Sequence, residues 1–158
     1  APGLGRSFAF QKWPGFDPRS WQALRDEAHQ RRRAAASAVI GADCDPRALR
    51  AAHDNAARLP CASAVTWTRA DFAVLAPPSD FGTLLVNPPY GERLKDDGSL
   101  EILYRKIGDT LKQRWTGWTA WILTGNLEAA KRIGLKATRR IPLWNGPLEC
   151  RLLKYELY

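Results

Sequence analysis

Methionine is absent from all 158 residues, position 1 included, and the chain opens on Ala-Pro-Gly-Leu-Gly-Arg-Ser-Phe. That opening reads as the interior of a longer polypeptide, so the sequence is taken as a fragment or a trimmed chain. Cysteine is scarce: Cys44, Cys61 and Cys150 are odd in number and have no C-x-x-C spacing, which argues against a disulfide framework and a zinc site. Buried, reduced thiols are the expectation, and no metal is expected. No apolar run approaches the roughly 20 residues that cross a bilayer, and the N-terminus lacks the charged-then-apolar order of a signal peptide. A cytoplasmic protein with no membrane partner is expected. There is also no internal repeat and no low-complexity linker.

What remains is an ordinary globular composition, 45% hydrophobic and 25% charged, at a length that fits a single domain over 1–158. The charge is lopsided, +8 with a pI of about 9.8. An excess of Lys and Arg favours a polyanionic partner, because basic side chains displace counterions from phosphates. Arg31-Arg32-Arg33 and the cluster Lys136, Arg139, Arg140 are candidate contacts, although each is equally readable as the solvated face of a helix or a strand.

Along the chain, residues 1–16 read as an irregular lead-in that packs Phe8, Phe10, Trp13 and Phe16 on a neighbour. Asp17-Pro18 is a helix start, Asp as N-cap and Pro at the first helical position, and the pattern predicts a helix through 19–36. A short buried strand follows at 38–42, then a helix over 45–59 capped by Asp45. Strands are expected from 64 and over 81–87. A helix at 99–114 carries Leu100, Leu103, Ile107 and Leu111 on one stripe. A fourth strand spans 117–125 and a short helix ends at Gly134. Two β-type runs then flank Asn145-Gly146, which predicts a hairpin closed by a type I′ turn with positive φ at both central residues. Alternating helices and strands imply parallel βαβ units, with the hairpin as an antiparallel addition. The fold class expected is an α/β sandwich with a mostly parallel sheet and a C-terminal antiparallel hairpin.

Ligands of such sheets sit at the carboxyl ends of the strands, and three ends are polar. The first is Gly41-Ala42-Asp43-Cys44-Asp45-Pro46, where Asp45 is placed to cap the next helix. Asp43 lies one step too early for that and could accept from a ribose diol; the alternative is that both acids serve the helix start. The second is Arg69-Ala70-Asp71-Phe72: Asp71 could accept from the exocyclic amine of a purine cofactor and Phe72 could pack on its ring, but Asp after a strand is also an ordinary turn residue. The third is Asn87-Pro88-Pro89-Tyr90. Two prolines forbid both helix and ladder pairing, holding the backbone extended with its carbonyls available.

That third end suits methylation of an aromatic amine. The nitrogen lone pair is delocalised into the ring, so the amine is a poor nucleophile until acceptors hold its two N–H groups. The Asn87 side-chain oxygen and the Pro88 carbonyl are suitable acceptors, and Tyr90 offers a face on which an extruded base can stack. The bland alternative is a rigid turn or a ligand for a WW-type module, against which the position directly after a buried strand argues.

In this order Asp43-Cys44-Asp45-Pro46, Ala70-Asp71 and Asn87-Pro88-Pro89-Tyr90 resemble a Rossmann-like S-adenosylmethionine-dependent amino-methyltransferase. The longer Asn-Pro-Pro-Tyr-Gly-Glu-Arg-Leu run, with Asn-Gly-Pro-Leu-Glu-Cys at 145–150 and the Ala-Pro-Gly-Leu opening, is similar to the bacterial large-subunit (23S) ribosomal RNA guanine-N2 methyltransferases. The resemblance implies S-adenosylmethionine as cofactor, with Asp43 at its ribose and Asp71 and Phe72 at its adenine. It implies ribosomal RNA as partner and Asn87, Pro88, Pro89 and Tyr90 at the target base. The family's glycine-rich loop, of the form D-P-x-C-G-S-G, has no match here; Gly3 and Gly5 follow no apolar strand. The implied position of that loop is upstream of Ala1, so the expectation is a chain truncated before it, lacking the first strand and any THUMP domain and binding S-adenosylmethionine poorly by itself. Three other readings stay open: an adenine-N6 methyltransferase on DNA or RNA, a non-catalytic basic RNA-binding module, and a methyltransferase acting on a small molecule or on protein glutamine.

Overall fold

A computed structural model describes residues 6–59, 62–90 and 99–158. Cys61, the Gly3 and Gly5 opening, and Gly91 to Leu94 of the longer motif lie outside the described residues. Two compact units emerge, Ala1–Ala70 and Asp71–Tyr158, each with its own sheet.

In the first unit the lead-in is short but not without structure. A 3₁₀ turn at Ala9–Lys12 brings Phe8 and Phe10 into a stack, ring centroids 5.4 Å apart. Both meet Trp21 edge-on, at 5.8 and 5.2 Å. The neighbour foreseen for the aromatics is therefore the first helix, α1 (Pro18–Gln30), although Trp13 stays 68% exposed. Asp17 caps α1, its carboxylate accepting from the amides of Arg19 and Ser20.

The helix ends six residues before the expected end, because no apolar side chain larger than alanine occurs between Asp26 and Val39 to bury a further turn. Arg31, Arg32 and Arg33 thus follow the helix instead of forming one of its faces. Strand β1 (Val39–Asp43) and strand β2 (Val65–Arg69) pair in parallel, Val39 opposite Val65 through Asp43 opposite Arg69. Helix α2 (Pro46–Ala57) joins them, capped by Asp45. A side chain at Gly41 would come within 2.6 Å of the Trp67 ring, so the indole lies directly over that glycine. No described residue of this unit is fully buried.

The core lies in the second unit. Strand β3 (Gly82–Val86) runs parallel to β4 (Trp118–Thr124), crossing over through helix α3 (Ser99–Arg114). After helix α4 (Leu127–Lys131) come β5 (Arg139–Asn145) and β6 (Leu148–Glu156), in the order β3-β4-β6-β5. The β4–β6 and β5–β6 pairs are antiparallel, so the hairpin enters the sheet through its second strand. Ala120 and Ile122 of β4 and Leu153 and Tyr155 of β6 meet Tyr104, Ile107 and Leu111 of α3 and Ile133 beyond α4. Ile107 and Leu111 of the expected stripe are buried, while Leu100 and Leu103 are half-buried and Tyr104, one position further round, is fully buried. α3 can approach this closely because position 108 is glycine: a Cβ there would lie 2.7 Å from the Ile133 carbonyl carbon.

Two expectations are corrected. Asn145 pairs with Leu148, which makes Gly146 and Pro147 the loop residues. Only Gly146 has positive φ, +60°, and no described non-glycine residue does. Since Pro147 is fixed near −65°, the φ pattern is that of a type II′ turn, with glycine at its first central position. The type I′ expectation failed because proline cannot occupy a second positive-φ position. Cys150 is a buried thiol as expected, but Cys44 is exposed, being in the loop between β1 and the α2 cap.

Candidate active site

Asp43 ends β1 in the first unit. Its Oδ1 accepts the amide of Asp45 at 2.8 Å, and Asp45 in turn accepts from Arg47 at 2.8 Å. The local role is plain: one carboxylate orders the residue that caps α2. The Asp43 carboxylate nonetheless stays on the surface, facing solvent at a strand end.

Asp71 and Phe72 open the second unit. Asp71 Oδ1 accepts from the Ala73 amide at 2.9 Å, and Oδ2 pairs with Lys106 of α3 at 3.1 Å. The Ala73 N–H, and after it the Lys106 ammonium, hold the Asp71 carboxyl below the usual carboxylate range. One face of Phe72 stacks on Trp115, with centroids 6.0 Å apart and planes 19° from parallel. A ligand ring would therefore meet its other face or its edge.

Asn87, Pro88, Pro89 and Tyr90 follow β3 directly. The register pairs Val86 with Ile122, which sets this turn level with Leu123, Thr124 and Gly125 at the end of β4. Along the turn Asn87 is exposed, Pro88 buried, Pro89 exposed and Tyr90 half-buried. Buried Pro88 anchors the backbone while its neighbours present their groups outward. No hydrogen bond or ring contact joins Asp71 or Phe72 to this turn among the described residues.

Tyr90 is held from two sides. Its hydroxyl accepts from Asn145 Nδ2 at 2.8 Å, tying the turn to the start of the hairpin loop. A Cβ at Gly125 would come 3.1 Å from Tyr90 Cδ2 and 2.9 Å from Leu148 Cδ2, so the ring, the hairpin and the end of β4 converge there. Beneath lies a buried polar link: Tyr104 and Thr124, both at 0% exposure, share a 2.6 Å hydrogen bond. The Thr124 hydroxyl also accepts the Asn126 amide at 3.0 Å, and Asn126 caps α4 through Ala129. Burial pushes the Tyr104 phenol up, which keeps it neutral as a partner for Thr124. Beside Gly125 opens a cleft of about 330 Å³ lined by Gly125, Asn126, Leu127, Glu128, Glu149 and Arg151.

The sequence reading missed Asn145, Gly125, Tyr104 and Thr124 as parts of this region. Asn145 was legible as a turn residue and as part of the 145–150 resemblance but not as a partner of Tyr90, and the apolar spacing that revealed α3 gives no weight to a tyrosine beside its stripe. Among the described residues no group of three or more His, Cys, Asp or Glu could hold a metal ion. No described helix is long and apolar enough to cross a membrane.

An α/β sheet with polar turns at the carboxyl ends of its strands is the architecture in which ligands bind at those ends. The chain belongs to the family described as RMKL-like, methyltransferase domain, whose model matches residues 1–154. A Synechocystis protein named as an RNA methyltransferase is 42% identical over 160 residues, covering 100% of this chain and 42% of that protein. Ribosomal RNA large subunit methyltransferase K/L of Methylococcus capsulatus is 41% identical over 161 residues, covering 99% of this chain and 22% of that protein. Among solved structures, SMU.472, described as a methyltransferase and complexed with SAH, matches with a TM-score of 0.81 and 31% identity over 99% of this chain and 42% of that one. The chain thus spans between about a fifth and two fifths of these proteins.

Proposed function

We propose that this chain carries the amine-holding half of a site that methylates an exocyclic amine of an RNA base, with S-adenosylmethionine as donor and guanine N2 of large-subunit ribosomal RNA as acceptor. The observation that carries the reading is the turn after β3: an exposed Asn87, a buried Pro88 and a Tyr90 ring held by Asn145. Family membership, the K/L relative and the SAH-bound neighbour support the donor and the RNA.

The residues present fit the cofactor by chemistry. A ribose diol offers two O–H donors, and Asp43 is an exposed acceptor at a strand end. An adenine offers an amine and a flat ring. Asp71, kept ionised by Ala73 and Lys106, can take the amine, and the side of Phe72 away from Trp115 can take the ring. When bound, S-adenosylmethionine supplies an electrophilic methyl group on a sulfonium.

The protein's share is positioning. Asn87 Oδ1 and the Pro88 carbonyl accept the two N–H bonds of the target amine, drawing its lone pair out of the ring and toward the methyl. Tyr90 stacks the extruded base, worth about 1–3 kcal/mol. With S-adenosylmethionine in place, Asn87 and Pro88 would aim the amine lone pair at its methyl group, the electron pair of the broken S–C bond staying on sulfur. The amine, now carrying an extra substituent and a positive charge, is acidic enough to release its proton to water. No strong base is needed, so alignment supplies most of the acceleration.

The test is methyl transfer from labelled S-adenosylmethionine to transcribed large-subunit rRNA by the full-length protein, followed by nucleoside analysis. N2-methylguanosine is expected, and Asn87→Ala is expected to lower the rate by about 100-fold or more. N6-methyladenosine would overturn the choice of base; RNA binding without any transfer would overturn the catalytic reading.

A further inference from the structure

The cleft is lined by Gly125, Asn126, Leu127, Glu128, Glu149 and Arg151, and Tyr90 approaches it at Gly125, where a Cβ would lie 3.1 Å from the ring. Two of the four polar residues are committed elsewhere. Asn126 Oδ1 caps α4 through the Ala129 amide, and both Glu128 oxygens bind Lys131 at 2.8 Å. Glu149 and Arg151 are committed to each other, but by one atom each: Arg151 Nη1 donates to Glu149 Oε1 at 2.6 Å, and to the Cys150 carbonyl at 3.1 Å. Glu149 Oε2 and Arg151 Nη2 make no bond among the described residues. An acceptor and a donor therefore stand side by side on β6, on the same hairpin whose Asn145 fixes Tyr90.

We propose that Glu149 and Arg151 form a base-reading pair that selects guanine over adenine in the cleft beside Gly125. This rests on the reading of Asn87 to Tyr90 as the amine-holding turn. On guanine the methylated N2 is followed along the same edge by the N1–H donor and the O6 acceptor. With N2 at Asn87 and Pro88, Glu149 Oε2 accepts from N1–H and Arg151 Nη2 donates to O6. Adenine offers the opposite pattern, an N1 lone pair next to an amine. The Glu149 Oε2 would then face a lone pair and the Arg151 Nη2 would face N–H groups, so neither atom finds a partner on the base. A site built to bond an N–H discriminates strongly against an analogue that lacks it. The mutual bond between Glu149 and Arg151 orients the two groups before a base arrives, as the Cys150 carbonyl does for the arginine.

The experiment uses the full-length protein in two stages. Labelled methyl transfer to transcribed large-subunit rRNA first maps the acceptor. Stem–loop RNAs around that acceptor are then compared with guanine or 2-aminopurine at the site, since 2-aminopurine keeps the N2 amine but lacks N1–H and O6. The unmodified protein is expected to prefer guanine by about 10- to 100-fold in kcat/KM. Glu149→Gln and Arg151→Gln are each expected to lower guanine transfer by about that factor while changing 2-aminopurine transfer by no more than about 3-fold. SAH affinity measured by calorimetry should stay unchanged in both variants. A merely structural role would lower both substrates together. A guanine preference that survives both substitutions overturns the pair while leaving the methyl-transfer reading intact. Absence of transfer by the unmodified protein, or transfer to adenine, overturns both.

Discussion

Cutting the bond between Asn145 and Tyr90 from either end should give the same deficit. The two groups lie 2.8 Å apart, both are neutral, and Asn145 is exposed, so water can replace either partner when the other is removed. The loss is then the net worth of a neutral hydrogen bond, about 0.5–1.5 kcal/mol, with no added penalty for a stranded buried group. In rate this is about 2- to 13-fold in kcat/KM for Asn145→Ala and likewise for Tyr90→Phe. Neither substitution disturbs much else. The positive φ of the turn belongs to Gly146, so alanine fits at 145, and phenylalanine keeps the stacking ring. The sharp expectation concerns the pair: the double variant should be no slower than the worse single one, because both remove one bond. Labelled methyl incorporation into rRNA, with the four proteins in parallel, measures the cycle. Deficits that multiply in the double variant would refute the view that Asn145 acts on catalysis through the tyrosine. A loss beyond about 100-fold for Tyr90→Phe alone would assign the hydroxyl a chemical role that the 2.8 Å bond does not account for.

Gly108→Ala should destabilise the chain by about 2 kcal/mol or more in urea unfolding, although alanine normally gains about 1 kcal/mol over glycine inside a helix. The added Cβ would lie 2.7 and 2.8 Å from the carbonyl carbon and Cα of Ile133, backbone atoms that cannot rotate away, and a more stable variant would refute that packing. Thr124→Val should cost more than Tyr104→Phe, about 1–3 against about 1 kcal/mol. Valine strands the buried Tyr104 hydroxyl and the Asn126 amide, whereas phenylalanine leaves Thr124 still bonded to Asn126; the reverse order would contradict the network. Burial pushes Tyr155 up to about 12 from 10.0. Because the folded value is the higher one, its contribution to stability is fully present below pH 10 and is lost as the pH rises towards 12. Unfolding midpoints across that window should fall for the parent chain and fall less for Tyr155→Phe.

The elements were legible where short-range chemistry decides them. Asp17-Pro18 and Asp45-Pro46 predicted helix starts that the structure places at Pro18 and Pro46 with those acids as caps. The helix expected at 99–114 spans Ser99–Arg114. What failed was decided by contact or by competition between neighbours. The early end of α1 could not be foreseen from propensity alone, since alanines and arginines are good helix formers that had nothing to pack on. The hairpin turn type turned on Pro147, which overrode the Asn-Gly signal. Tyr104 is invisible as a buried partner in a stripe count, because its burial depends on Thr124, 20 residues away.

The two segments that carried the family resemblance, Asn87 to Tyr90 and Asn145 to Cys150, are 55 residues apart at their bonded members, yet a single hydrogen bond joins them. That contact explains why a terminal hairpin belongs with a strand-end turn. The prolines fix the turn's backbone, and Asn145 fixes where the Tyr90 hydroxyl lies, while Gly125, by lacking a side chain, admits the ring beside Leu148. The scaffold beneath is fully buried, with Tyr104, Thr124 and Ile122 at 0% exposure and Cys150 at 1%. Asp43 and Asp71, by contrast, are exposed carboxylates whose bonds run to backbone amides and a surface lysine. Each stays open to solvent in its own unit, whereas the turn from Asn87 to Tyr90 is held by the buried Pro88 and by the Asn145 bond.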